Sequence, residues 1–219
     1  MAARAERAAV RATTRALGGG SVDLAGAAAP TDAECYMCLG RGTDAAPLRR
    51  NCACRGGAGF AHIECLVRAA EHNEELWLEC QTCKQRFFGD VKLQLAHARW
   101  ERARNRAEGD DERLEAANVL AHALHSNGGR EAAVPLYEEV LRAVRRKSGG
   151  DNNEDAFSLM MSLAITHREM DNPQKALPLV EEALRGRRAL LGDGEDTMAA
   201  IDLLGSVHYD MEEYEAVSA

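Results

Sequence analysis

The sequence predicts a small, loop-rich, cysteine-rich module of α+β character followed by an all-α solenoid of helical hairpins. Three observations predict it. All seven cysteines fall between Cys35 and Cys83, and they come largely in close pairs. Further along, a helical pattern led by Leu120 returns at Leu163 and Leu204, at intervals of 43 and 41 residues. Aromatic residues make up only 5% of the chain while alanine abounds, which argues against a β-sandwich. With 219 residues, 46% of them hydrophobic, the chain can bury one or two cores.

Residues 1–30 read as a disordered tail, alanine-rich, interrupted by Gly18-Gly19-Gly20 and closed by Pro30. Arg4, Arg7, Arg11 and Arg15 would share one helical face, as in an organelle transit peptide. The opposite face is alanine rather than leucine, however, and Glu6 interrupts the charge. No apolar signal segment precedes the cysteines, and an odd number cannot close into disulfides, so a reducing compartment, the cytoplasm, is expected. No run of apolar residues is long enough to span a bilayer, and a soluble chain without a membrane partner is expected. Residues 101–219 carry 14 basic and 24 acidic groups, a net of −10. That acidity argues against a nucleic-acid surface, which needs Lys and Arg to displace counterions.

Residues 31–89 hold the string Cys35-x2-Cys38-x13-Cys52-x-Cys54-x7-His62-x2-Cys65-x14-Cys80-x2-Cys83. Eight soft or borderline donors suit two tetrahedral zinc ions with four ligands each. A two-residue gap lets both thiolates of a pair reach one ion at about 2.3 Å. Spacing alone leaves the grouping open: sequential pairing would put Cys35, Cys38, Cys52 and Cys54 together. Both ions would be structural, because every coordination position is filled by protein and none is left for an activated water. Each cysteine is needed as a ligand, so the chain offers no covalent nucleophile of its own.

The order of donors, the single residue between Cys52 and Cys54 and the seven before His62 resemble the RING-CH (RINGv) zinc finger. Cys52-Ala53-Cys54-Arg55-Gly56 and Phe60-Ala61-His62-Ile63-Glu64-Cys65-Leu66 are similar to that family's core. The PHD finger shares the donor order, but its second pair is usually wider and its approach to the histidine shorter. The resemblance implies a cross-brace, with Cys35, Cys38, His62 and Cys65 on one zinc and Cys52, Cys54, Cys80 and Cys83 on the other. It also implies a ubiquitin ligase that docks a ubiquitin-conjugating enzyme and positions its thioester. In that role Met37 would give apolar contact to the enzyme, and Lys84, after the last ligand, would contact enzyme and ubiquitin together. The chain departs from the family at Ala69, where a tryptophan is frequent; Trp77 is the only one nearby. Gln81-Thr82 also lacks the proline usual between the last ligands of simple RING domains.

Residues 90–111 read as a connecting helix and linker, with Val91, Leu95 and Trp100 as buried points. From residue 112 to 219 the chain repeats. Leu120-Ala121 with Ala133-Val134-Pro135-Leu136 is echoed by Leu163-Ala164 with Ala176-Leu177-Pro178-Leu179, and by Leu204-Gly205 with Ala216. Small residues at equivalent sites let paired helices approach. The pattern, with the loop Leu190-Leu191-Gly192-Asp193-Gly194-Glu195, resembles the longer tetratricopeptide repeat of kinesin light chains. About two and a half repeats are expected, the last ending inside its second helix. His122, His125, His167 and His208 lack metal partners in sequence and are expected at core or rim positions.

The combined expectation is a zinc-binding protein–protein adaptor, a RING-type ligase whose repeats bind the substrate. A concave repeat surface with net negative charge would take a protein or peptide, favouring a basic one. The alternative is a non-enzymatic scaffold or PHD-like peptide reader, for which Tyr36, Phe60, Trp77, Phe87 and Phe88 are the available aromatics.

Overall fold

The computed structural model describes residues 29–30, 32–50, 52–54, 59–148 and 153–218. The expected tail lies outside these except for Ala29 and Pro30. The chain divides into two compact units between Gly129 and Arg130. No helix among the described residues is long and apolar enough to cross a membrane.

The first unit contains α1 (Ile63–Ala70), a 3-10 turn (Glu74–Trp77), α2 (Gly89–Ala103) and α3 (Asp111–Ser126). Among the described residues its cysteine-rich part forms only isolated antiparallel bridges, Glu34 with Arg41, Arg49 with Ala61 and Glu79 with Arg86. Short loops with so few ladder bonds cannot close a sheet. Cohesion comes from one apolar cluster in which Leu48, Phe60, Leu66, Trp77 and Phe87 are joined by Val91 and Leu95 of α2. Val91 is 1% exposed and Leu95 0%, each contributing about 1.5–3 kcal/mol of burial. The helix expected to connect two domains is therefore built into the first one. Arg99 of α2, itself buried, pairs with Glu74 at 3.3 Å and with Glu115 of α3 at 2.9 Å. Arg102 pairs with Glu71 at 3.1 Å and lies over the Trp77 ring. Trp100 is only half-buried, beneath the Arg113 guanidinium.

The second unit contains α4 (Arg130–Ser148), α5 (Glu154–Arg168), α6 (Pro173–Leu191) and α7 (Glu195–Ser218). Each helix starts where the sequence can stop the preceding chain. Asn153 accepts from the Asp155 N–H at 2.8 Å to cap α5, and Pro173 opens α6 where no N–H is needed. The small residues Ala133, Ala164 and Ala176 are fully buried. Helices α5 and α6 are in close contact at Gly186, where an added Cβ would lie 2.1 Å from the Phe157 ring. Ion pairs about one repeat apart stitch neighbouring helices: Arg130 with Glu169, Arg145 with Glu182, both at 2.6 Å, and Arg168 with Asp210.

The third repeat differs from expectation. Its first helix does not turn but runs unbroken as α7 from Glu195 to Ser218. The segment after α3 is Asn127-Gly128-Gly129 and the turn between α5 and α6 is Asp171-Asn172-Pro173, with positive φ at Gly128 and Asp171. Between His208 and Ala216 there is no glycine, asparagine or proline, so nothing ends the helix. Of the repeat histidines, His167 is buried, His122 and His125 half-buried, and His208 exposed.

Candidate metal centre

The first cysteine pair is carried by a tight knuckle. The Leu39 N–H donates to the Cys35 carbonyl at 2.8 Å, and the Cys35 N–H donates to the Gly40 carbonyl at 2.9 Å. The last pair repeats this device residue for residue: Lys84 N–H to Cys80 carbonyl and Cys80 N–H to Gln85 carbonyl, both at 2.8 Å. The residue after each second cysteine, Leu39 or Lys84, turns back with φ of 59° or 56°. Such φ values strain a non-glycine residue, and here two backbone hydrogen bonds hold each one in place.

The middle donors arrive by a different route. Arg49 and Ala61 exchange backbone hydrogen bonds at 2.8 and 3.0 Å, and the Tyr36 N–H donates to the Phe60 carbonyl at 3.0 Å. These bonds set His62 at the N-terminal boundary of α1, and one helical turn delivers Cys65 beside it. The Arg50 guanidinium donates to the Cys54 carbonyl and covers the Phe60 ring at 5.3 Å. Gly59 is needed there, because a Cβ would sit 2.8 Å from Arg50 Nε and 3.1 Å from the Cys54 carbonyl.

Two groups of four donors result. Cys35, Cys38, His62 and Cys65 place their ligand atoms within 4.8 Å of one another, and so do Cys52, Cys54, Cys80 and Cys83. The grouping is interleaved along the chain, not sequential. His62 Nδ1 lies 3.4 Å from Cys38 Sγ and 3.8 Å from Cys65 Sγ, and Cys54 Sγ lies 3.6 Å from Cys80 Sγ. Sulfur and nitrogen donors around a tetrahedral zinc are separated by about 3.5–3.8 Å, given Zn–S of about 2.3 Å. The donor sets therefore fit zinc in identity, number and span. His62 Nε2 meets the Arg41 carbonyl at 3.2 Å, so it carries the proton and leaves Nδ1 facing the thiols.

The thiols also bear the mark of shared space. Burial raises Cys35, but the N–H groups of His62, Cys38 and Met37 outweigh it and bring the thiol down to about 7. In the same group burial and the neighbouring Cys38 and Cys35 push Cys65 up to about 12. Burial likewise raises Cys83, and the Gln85 backbone and the Cys54 and Cys80 side chains bring it down to about 7. Cys54 is driven above the ordinary thiol range by burial and by Cys80, Cys52 and Cys83. Without a cation each group can ionise only in part; a dication at its centre would take the protons' place.

Residues 35–83 match the RING-variant domain, and residues 112–189 match the tetratricopeptide repeat. The chain carries a RING-variant zinc module followed by tetratricopeptide repeats. Its module is 40% identical over 53 residues to E3 ubiquitin-protein ligase MARCHF6 of Mus musculus, Homo sapiens and Pongo abelii. That stretch covers 24% of this chain and only 6% of those relatives. Among solved structures, it is similar to BtubC (BKLC) from P. vanneervenii, with TM-score 0.45 and 19% identity over 68% of this chain and 62% of that one. It is also similar to the nearly identical TPR-like repeats of a kinesin light chain protein from Podosopora anserina, with TM-score 0.48 and 18% identity over 69% and 66%.

Within the RING-variant module, Met37 is half-buried on the first knuckle against the apolar cluster. Lys84 projects into solvent from the second, its ammonium 3.5 Å from Glu75. Ala69 is half-buried on α1, and Trp77 faces inward at 5% exposure. Sequence reading did not reach the Arg41 carbonyl behind His62 or the contact of Arg50 with Cys54. For the second the signal was Gly59, where a Cβ would crowd Arg50 and the Cys54 carbonyl.

Proposed function

We propose that the RING-variant module holds one zinc on Cys35, Cys38, His62 and Cys65 and one on Cys52, Cys54, Cys80 and Cys83, and recruits a charged ubiquitin-conjugating enzyme. The protein then acts as a RING-type ubiquitin ligase, with its repeats binding the substrate. The observation that carries this reading is the coincidence of two four-donor clusters with a stretch 40% identical to an E3 ubiquitin-protein ligase. Catalysis of this kind needs no nucleophile from the ligase: the zinc ions fix two loops, and the loops fix the orientation of the bound thioester. Met37 on the first loop supplies apolar contact, and Lys84 on the second supplies the cation that meets enzyme and ubiquitin together. The repeat unit, on the acidic half of the chain, favours a basic protein or peptide.

One observation favours a second reading, a non-enzymatic zinc scaffold. Ala69 presents no large side chain for the conjugating enzyme, and Trp77 is turned into the core. A peptide reader is less well supported, because Phe60, Trp77 and Phe87 are buried rather than lining a cage. The deciding experiment is autoubiquitination of the full chain with ubiquitin, activating enzyme and a panel of conjugating enzymes. Ligase function gives zinc-dependent conjugates that decline with Met37→Ala and with Lys84→Ala. A fully metallated protein that gives no conjugates with any enzyme is the scaffold.

A further inference from the structure

Helix α7 is covered on one side only. Thr197, Ala200, Leu203 and Val207 are buried within the repeat unit. The opposite side carries Met198, Ile201, Asp202 and Gly205, at the i, i+3, i+4, i+7 spacing of one helical face. Met198 is 51% exposed, Ile201 is half-buried, and Asp202 and Gly205 are exposed. The repeat shows what such a side is built for. At the 41-residue interval these four positions correspond to Phe157, Met160, Met161 and Ala164 of α5, all of them buried. At Phe157 the covering element is α6, which passes so close at Gly186 that a Cβ there would meet the ring. Among the described residues nothing covers the corresponding side of α7, which runs unbroken to Ser218.

Gly205 is an independent sign. Glycine inside a helix is unfavourable, and a Cβ at Gly205 would meet nothing within 4 Å. The described structure makes no use of its smallness, whereas Ala164, at the equivalent place, is fully buried. Charge then selects the occupant. Helix α7 contains seven acidic residues and no lysine or arginine. Asp202 stands where α5 has Met161, and no cation among the described residues pairs with it. A second copy of α7 would set seven acids against seven, a juxtaposition of like charges that costs binding. Helix α6, the occupant of the equivalent side of α5, instead carries Lys175, Arg185, Arg187 and Arg188.

We propose that this side of α7 is a docking site for a basic amphipathic helix of a partner protein, packed on α7 as α6 packs on α5. The partner's apolar stripe covers Met198 and Ile201, its backbone passes close at Gly205, and a lysine or arginine meets Asp202. The inference rests on the reading of the repeats as the partner-binding unit and is independent of ligase activity.

The test is fluorescence anisotropy with the full zinc-loaded chain, without ubiquitin or conjugating enzyme. The probe is a labelled synthetic peptide of the α6 sequence, residues 172–191, and the control peptide carries Lys175→Glu, Arg185→Glu and Arg188→Glu. Saturable binding of the probe is expected, on the order of tenfold tighter than the control and weaker as salt is added. Asp202→Lys and Gly205→Leu, both at exposed positions, should each weaken it on the order of tenfold. Leucine favours a helix more than glycine and has open space there, so Gly205→Leu should keep a thermal midpoint no lower than wild type while it blocks the incoming helix. Sedimentation equilibrium of the chain alone should give a monomer. No saturable binding, or equal binding of the two peptides, overturns the proposal. Binding unchanged in Gly205→Leu also overturns it, and leaves the repeats as a partner-binding unit whose site lies elsewhere. A dimer that Gly205→Leu dissociates overturns it in favour of a second copy as the occupant.

Discussion

The zinc-bearing part and the repeat unit reach stability by opposite routes. In residues 35–87 the backbone forms isolated bridges and two identical knuckles, and eight donors gather at two points. Among the described residues of 130–218 no such cluster of donors is found; helices touch through alanines and one glycine, with arginine–carboxylate pairs at the rim. A chain with little regular structure is held by a few strong bonds, and a regular one by many weak contacts. The two zinc clusters differ in the same sense. The first includes exposed Cys38, whereas in the second Cys52, Cys54 and Cys80 are all buried.

The contrast breaks most visibly at Cys54. Cys54→Ser should abolish the second cluster and unfold α1 and α2 with it, because structural zinc carries on the order of 10 kcal/mol of folding free energy. The repeat unit should keep its helicity, giving a partial loss of circular dichroism. Loss of metal from Cys35 and Cys38, with Cys80 and Cys83 still metallated, would show that the interleaved grouping is wrong. The opposite lesion is Gly186→Ala, which forces a methyl into the Phe157 ring. It should cost the repeat unit about 1–3 kcal/mol, read as a lower midpoint in thermal denaturation, with zinc content unchanged.

A smaller effect is expected at Arg99, which ties the zinc module to α3. Its carboxylate partners are largely exposed, Glu74 at 78% and Glu115 at 56%, so solvent already screens them. Arg99→Met should therefore cost about 1 kcal/mol or less in denaturant titration. The last effect is absent at neutral pH and appears only on acidification, at His122. Its pKa is lowered from 6.5 to about 4 by burial and by Lys92, His125 and Arg86, so the unfolded state binds the proton more readily. The stability tied to the neutral ring is complete above 6.5 and is lost as pH falls toward 4. The difference between wild type and His122→Asn, measured across that window, should show this slope; equal slopes would remove it.

Much of this was legible in the sequence, and the exceptions have physical causes. Cysteine spacing shows pairs because a knuckle is local, and repeat periodicity shows hairpins because each must bury the same face. The membership of α2 in the zinc module was not legible, since Val91 and Leu95 are buried by residues distant in sequence, among them Leu48 and Phe60. The unbroken α7 was hidden for the reverse reason. Equivalence with the earlier repeats suggested a turn, but the missing turn residues between His208 and Ala216 decide the local backbone.

Zinc content combined with zinc X-ray absorption on the full chain tests the central claim most directly. Two zinc ions per chain with a mean first shell of seven sulfurs to one nitrogen are predicted, as the two donor groups require. A single zinc, or a shell containing oxygen in place of sulfur, would contradict it.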